Sequence, residues 1–263
     1  MTLIDENPVI IETKTPVARI LLNRPEHQNA VSPDFLRSLS QGLKRLRGLE
    51  GLRVVLFGST VEGVFSVGLD VRSIMDLGSG GAEEFFDLAQ NVVTDIREMS
   101  VPVVAVLEGD TIGAGLEIAL ACDIILATPE VRLGQAESNF GILPAMNGIF
   151  NIWRRSTSGV VSRLFYSGEI IDGVEGHRTG LIDMLCPREK IQEIAIKLAE
   201  EISLRAPLAL THAKALIRTY EREMQSKFQE EEKKVWEKVF SSKDREIGMQ
   251  AFIQKAIPEF EGK

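Results

Sequence analysis

Two glutamates, Glu117 and Glu137, stand twenty positions apart in a stretch rich in apolar residues and glycine. Glu117 interrupts the run GAGLEIALA, where burying an unpartnered carboxylate is costly. Such a group is held either by a basic partner, as a structural ion pair, or beside a reaction centre where burial retunes its proton affinity. Glu137 lies in the polar run LGQAESN and alone would carry no signal. Just before Glu117, Gly113-Ala114-Gly115 opens a helical stretch, and a second glycine turn, Val67-Gly68-Leu69-Asp70, lies upstream. A helix N-terminus presents unpaired N–H groups with partial positive charge, and small residues let an oxygen approach them. Two such turns on neighbouring strands could aim two N–H groups at one developing oxyanion, each worth about 2.7–4 kcal/mol in a transition state. The same glycines would equally serve as plain tight turns.

Other chemistries lack their residues. Gly113-Ala114-Gly115 superficially echoes a dinucleotide fingerprint, but Ile118 occupies the third glycine position and Glu137 falls beyond the following strand instead of ending it. GxSxG, HExxH and GxxxxGK[ST] are absent. His27, His177 and His212 fall in three separate segments without ligand spacing, so no metal site is expected. Cys122 and Cys186 belong to no CxxC cluster, and Cys122, inside ALACDIILA, reads as a buried thiol.

The elements that must position these residues follow from periodicity. Val9–Glu12 and Val17–Leu22 read as a hairpin, and Ser32-Pro33 caps a helix with Phe35, Leu36, Leu39, Leu43 and Leu46 on one stripe. Arg53–Gly58 and Val103–Leu107 are continuous apolar runs, as in strands covered on both faces. The glycine turn at Gly68 is expected to follow the first of these. Residues 78–81 (GSGG) read as a mobile linker before a helix from Ala82 to about Met99. The helix from Gly115 to Ala121 is apolar all round, which predicts complete burial. A strand at Asp123–Thr128, helices at Phe150–Arg155, Gly159–Tyr166 and Glu175–Thr179, and a strand at Leu181–Cys186 follow. Ile191–Arg205, Pro207–Met224, Phe228–Phe240 and Asp244–Ile257 are helical. Alternating strands and helices predict an α/β core over residues 1–187, with a helical region over residues 188–263. The stripe of Phe228, Val235, Trp236, Val239 and Phe240 is expected to meet a partner.

The 263 residues are 44% hydrophobic and carry 30 basic against 38 acidic side chains, a formal net charge of −8. An acidic balance argues against nucleic acid as a partner, while leaving room for a local basic groove. The amino end, MTLIDENPVI, lacks the basic and apolar segments of a secretory signal, and no apolar run reaches the length of a membrane span. With unpaired cysteines, a cytoplasmic location is expected.

Taken in order, LNRPEHQNAV, VFSVGLDV, GDTIGAGLEIALACDIILA, LGQAESNFGILP, DGVEGHRTGLID, APLALTHAKALI and DREIGMQAFIQK resemble the crotonase superfamily, most closely its enoyl-CoA hydratase branch. The resemblance spans essentially the whole chain. It implies a crotonase-like spiral of ββα repeats with stacked sheets, a helical C-terminal region that mediates trimerisation, and a homotrimer or dimer of trimers. It also implies an acyl-CoA thioester substrate, an enolate-like intermediate, and no cofactor beyond the coenzyme A of the substrate. The oxyanion donors map to the N–H groups of Leu69 and Ala114, and the two catalytic acids to Glu117 and Glu137. By the same resemblance Val67, Gly68, Asp70, Gly113, Gly115, Gly141 and Ala145 bind substrate, and His27 and Lys255 reach the CoA end. Where hydratases carry Gly-Ala-Gly-Gly after Pro144, this chain has Ala145-Met146-Asn147-Gly148, so a reshaped acyl pocket is expected there. The implied reaction is reversible hydration of a 2-enoyl-CoA. An enoyl-CoA isomerase using one glutamate, or a non-catalytic, RNA-binding member of the superfamily, are the alternatives.

Overall fold

In the computed structural model, which describes residues 7–75 and 77–263, Val9–Glu12 (β1) pairs antiparallel with Val17–Leu22 (β2) to form the expected hairpin. The first six residues, part of the segment examined above for a signal, lie outside the described residues. Ser32 caps Pro33–Arg47 (α1), its Oγ accepting the Phe35 N–H at 3.2 Å. The chain then runs three times through a long strand, a short strand and a helical segment. Val54–Ser59 (β3) leads to the short strand Val64–Ser66 (β4) and the helices Val71–Met75 (α2) and Ser79–Arg97 (α3). Val103–Leu107 (β5) leads to Asp110–Ile112 (β6) and Ala114–Ala121 (α4). A third round places Ile124–Ala127 (β7), Arg132–Gly134 (β8), a 3₁₀ turn at Glu137–Phe140, and the helices Gly148–Arg155 (α5) and Ser158–Ser167 (α6). Ile170–Asp172 (β9), Gly173–Arg178 (α7) and Met184–Leu185 (β10) close the layered part. Ile191–Ser203 (α8), Pro207–Phe240 (α9) and Lys243–Gln254 (α10) follow.

Each round contributes one strand to each of two sheets. The first is ordered β1-β2-β3-β5-β7-β10 and the second β4-β6-β8-β9, parallel except for the pairs β1–β2 and β8–β9. β3 and β5 are buried on both faces. Val55, Phe57, Val103 and Ala105 face the main core with α1 and α3, while Val54, Leu56, Val104 and Val106 face Ile191, Ala195 and Ala199 of α8.

That packing runs across the boundary expected at residue 187. α8 is the cover of one face of the first sheet, and Trp236, Phe240 and Met249 belong to the main core. The apolar stripe assigned to a partner is largely satisfied within the chain: Trp236 is 1% exposed, with ring centroids 5.2 Å from Phe86 and 4.5 Å from Phe240, while Val235 remains exposed. Where two helices are expected, α9 runs unbroken through Gln225–Lys227, because nothing there interrupts the backbone and Gln225 is buried. Buried ions anchor it: Lys214 and Arg218 grip Asp123 at 2.6 and 2.8 Å, and Arg97 donates to Glu221 at 2.6 Å. The glycines at 78–81 are not a linker. Gly78 caps α3 and Gly80-Gly81 lie in its first turn, where packing of Ala82, Phe85 and Phe86 offsets their low helix propensity.

Among the described residues no helix is long and apolar enough to cross a membrane. Replacing Trp236 by Ala is expected to cost about 3–5 kcal/mol, lowering the midpoint of one cooperative thermal transition. Two separated transitions, only one of them shifted, would show instead that residues 188–263 fold apart from the rest.

Candidate active site

The short second sheet sets the geometry. β4 pairs with β6 and β6 with β8, Ile112 standing opposite Gly134, so three chain segments leave the same edge side by side. From β4 comes the turn with Gly68 and Leu69, from β6 the turn with Gly113 and Ala114, and from β8 the segment that reaches Glu137. The glycine turns therefore follow β4 and β6, not the long strands β3 and β5 expected to carry them. Gly68 (φ +97°) and Gly113 (φ +53°) are packed so closely that a Cβ on Gly113 would stand 3.7 Å from the Gly68 Cα. Gly115 faces Ser66, 2.6 Å from where its Cβ would be, which lets α4 press onto β4.

Three N–H groups in these turns are spoken for. Gly68 donates to Ser66 Oγ at 3.2 Å, Asp70 to the Val31 carbonyl at 2.9 Å, and Gly113 to the Gly134 carbonyl at 2.8 Å. Between them the N–H groups of Leu69 and Ala114 have no acceptor among the described residues. Ala114 is also the first residue of α4, where the helix presents its positive end. Asn29, fully buried, steadies the upstream turn: its Nδ2 donates to Ser59 Oγ and the Phe65 carbonyl, and its carbonyl accepts from Ser66 Oγ.

Both acids are buried, Glu117 to 1% and Glu137 to 3% exposure. Glu137, read as part of an exposed polar turn, is folded inward instead. Its Oε2 accepts from Gln135 Nε2 at 2.8 Å, and its Oε1 lies 2.5 Å from where a Gly113 Cβ would stand. Burial, opposed by Gln135, pushes its pKa up to about 7. Glu117 has no basic partner among the described residues. Its Oε2 accepts the N–H groups of Met146 and Gly148, both at 2.8 Å, so it sits at the N-terminus of α5. Its pKa is driven well above the usual carboxylate range by burial and then by the like charges of Glu137 and Glu232, against the pull of the two N–H donors. The two acids feel each other and titrate as a pair.

A groove of about 840 Å³ opens beside the Gly68 turn, lined by His27, Val67, Leu69, Asp70 and Lys255 with Arg72 and Phe252. Five residues singled out in the sequence thus meet on one surface. His27 and Lys255 are exposed at its rim, where Lys255 and Arg72 furnish positive charge. Asp70 is tied to Arg24 at 3.1 Å, and Arg24 also donates to the Ala30 carbonyl, so its carboxylate braces the loop. Gly141 lies apart from this surface. It closes the 3₁₀ turn of Glu137, and its Cα faces the backbone of Asp244 and Arg245 at the start of α10. Ala145 is buried, with its carbonyl accepting from Gln90 Nε2 at 2.9 Å.

Sequence reasoning passed over Arg72, Gln135, Asn29 and Glu232. Gln135 had a local signal, two positions before Glu137, and Glu232 lay in register with Phe228 and Trp236 on the buried stripe of α9. Arg72 and Asn29 are marked only by their tertiary neighbours.

Two spare N–H donors beside two buried carboxyls, with a groove bearing Arg72 and Lys255 along the Gly68 turn, have the chemistry to receive an anion-forming carbonyl compound. The family described as enoyl-CoA hydratase/isomerase matches residues 12–263, and the chain belongs to it, within the crotonase superfamily. It is 31% identical over 252 residues to the human mitochondrial enoyl-CoA hydratase domain-containing protein 2, covering 94% of this chain and 86% of that one. It is 29% identical over 247 residues to the probable enoyl-CoA hydratase 2, mitochondrial, of Arabidopsis thaliana, covering 94% and 82%. A solved structure of methylmalonyl-CoA decarboxylase with 2-nitronate-propionyl-CoA superposes with a TM-score of 0.85 at 26% identity, over 97% of this chain and 98% of that one.

Gly113 allows a direct test. An added Cβ meets Glu137 Oε1 and the backbone disfavours any side chain, so Gly113→Ala is expected to displace the acid and lower acyl-thioester turnover about 100-fold. Steady-state kinetics checks the rate, and circular dichroism checks that the fold survives.

Proposed function

We propose that the protein adds water reversibly across the double bond of a 2-enoyl-CoA. The observation that carries this is the meeting, at one edge of the second sheet, of two unpartnered N–H groups and two buried acids. A thioester oxygen placed between Leu69 and Ala114 N–H would be polarised, drawing electrons from the conjugated double bond. Glu117, ionised, would take a proton from water as the water oxygen bonds to Cβ, and the double-bond electrons would move onto the thioester oxygen as an enolate. Glu137, protonated, would then deliver its proton to Cα as the enolate collapses. The pair starts and ends with one proton, exchanged from Glu137 to Glu117, and returning it resets the site.

The like-charge environment supports this count. Two carboxyls that close cannot both ionise easily, so the pair holds a single proton over a broad range. Burial keeps the Glu137 proton in place up to about pH 7, as an acid that must deliver it requires, and raises Glu117 as well. The two N–H donors on Glu117 pull against that rise, toward the ionised form that accepts a proton from water. Decarboxylation, the activity of one structural relative, would set a third carboxylate against these two acids, which electrostatics disfavours. His27, Arg72 and Lys255 would hold the phosphates of CoA, which itself belongs to the substrate, and no further cofactor is invoked. Exposed apolar side chains on α9, among them Leu208, Leu216 and Ile217, are consistent with a homotrimer or a dimer of trimers.

With crotonyl-CoA, loss of the conjugated enoyl-thioester absorbance is expected. Conversion of a 3-enoyl-CoA to its 2-isomer without hydration would make the protein an isomerase instead. Glu117→Gln and Glu137→Gln should each lower kcat by about 100-fold or more while CoA-ester binding survives. The kcat/KM profile should fall as pH rises through about 7, where Glu137 loses the proton it must deliver, and Glu137→Gln should remove that fall.

A further inference from the structure

Glu232 lies on α9 four positions after Phe228 and four before Trp236, on the face turned into the molecule, and is 6% exposed. So deep a carboxyl requires partners. Gln90 of α3 is one. Its Nε2 donates to Glu232 Oε2 at 2.7 Å and to the Ala145 carbonyl at 2.9 Å, while its Oε1 accepts from Gln229 Nε2 at 2.9 Å. The Asn147 N–H faces the same carboxyl without closing a hydrogen bond, since Glu232 Oε1 has no partner among the described residues, so the firm link from Glu232 to the bend runs through Gln90.

The bend from Ala145 to Gly148 is therefore gripped from two sides. Met146 and Gly148 donate forward to Glu117, Asn147 faces back toward Glu232, and the Ala145 carbonyl is fixed by Gln90. The left-handed backbone of Asn147, φ +61°, lets successive N–H groups diverge in this way. Both polar atoms of its buried side chain lack partners among the described residues, so the side chain does not hold the bend in place. The grip comes from behind, from Glu232 and Gln90.

We propose that Glu232 is a positioning residue for Glu117: through Gln90 it holds the Ala145–Gly148 bend in the shape that presents two N–H donors to the Glu117 carboxyl. The role rests on the hydration mechanism only in naming Glu117 as the reacting group. Glu232 also acts through its charge. Burial pushes its own pKa up to about 8, and its ionisation there sets a negative charge behind Glu117, which makes Glu117 hold its proton more tightly. The groups facing Glu117 are Glu137 from the 3₁₀ turn, Glu232 from α9 and the two N–H donors of the bend. Those facing Glu232 are Gln90 from α3, the Asn147 N–H and Glu117. Asp87 and Glu83 of α3 are engaged at the surface by Lys233, and Arg154 of α5 by Glu221.

Glu232→Gln keeps an acceptor for Gln90 and removes the charge, whereas Glu232→Leu removes both. Carbon-13 NMR of protein labelled at the glutamate carboxyls, with the Glu117 signal assigned from Glu117→Gln, reads Glu117 directly and needs no turnover. Its titration midpoint is expected to fall by about half a unit or more in Glu232→Gln. In crotonyl-CoA hydration, Glu232→Leu should lower kcat about tenfold with KM little changed, and Glu232→Gln should restore kcat to within about threefold. Glu231→Gln, on the exposed face of the same helix turn, should leave both readouts as in the wild type. An unmoved Glu117 titration in Glu232→Gln, or wild-type kcat in Glu232→Leu, overturns the proposal. If Glu232→Leu does not fold, the Glu232→Gln titration decides. If the wild-type protein hydrates no enoyl-CoA, the mechanism fails, while the Glu117 titration still decides the part played by Glu232.

Discussion

A carboxylate buried in an apolar helix is the constraint around which the site is built. Glu117 has no basic partner among the described residues, so the backbone must hold it, and only a segment bent sharply enough to aim two N–H groups at one oxygen can do so. That requirement sets the start of α5, and it explains Gly148, where a Cβ would stand 2.9 Å from the Glu117 carboxyl. It also carries outward to α3 and α9, since the bend is braced by Gln90 and Glu232. Charge-assisted hydrogen bonds of this kind are worth about 1.5–3 kcal/mol each, enough to keep the acid in place but not to cancel its burial. The result is a group poised to exchange a proton.

The two sheets divide the work. The first, with strands buried on both faces between α1 and α3 on one side and α8 on the other, supplies most of the apolar burial. The second is short and contributes little area, yet its strand ends set Leu69, Ala114 and Glu137 beside one another. Three residues per strand suffice because β4, β6 and β8 each follow a strand of the first sheet by only a few residues. Stability and positioning are thus assigned to different layers of the same repeat.

This arrangement also explains why family membership leaves the reaction open. The two glycine turns belong to the fold, and the solved methylmalonyl-CoA decarboxylase shares that fold. What distinguishes one chemistry from another is the set of charged groups above the turns. In this chain those groups are two acids with a third behind them, in a region where Ala145, Met146 and Asn147 depart from the hydratase pattern.

Much was legible in the residues themselves. The hairpin, the capped α1, the long buried strands and α4 followed from periodicity and capping, because these are local preferences reinforced by burial. The ordered motifs, taken as a resemblance, pointed to the two turns and both acids. The second sheet was not legible: three-residue strands such as Asp110–Ile112 and Ile170–Asp172 are too short to show a period. The glycines at 78–81 misled because helix propensity is a weak local preference that the packing of Phe85 and Phe86 overrides. The sequence by itself determined that Glu117 would be buried and in need of partners, since an acid inside GAGLEIALA has no other place. Only the tertiary structure decided who those partners are. Met146 and Gly148 lie about thirty residues away and Glu232 more than a hundred, and backbone N–H groups carry no mark in a sequence.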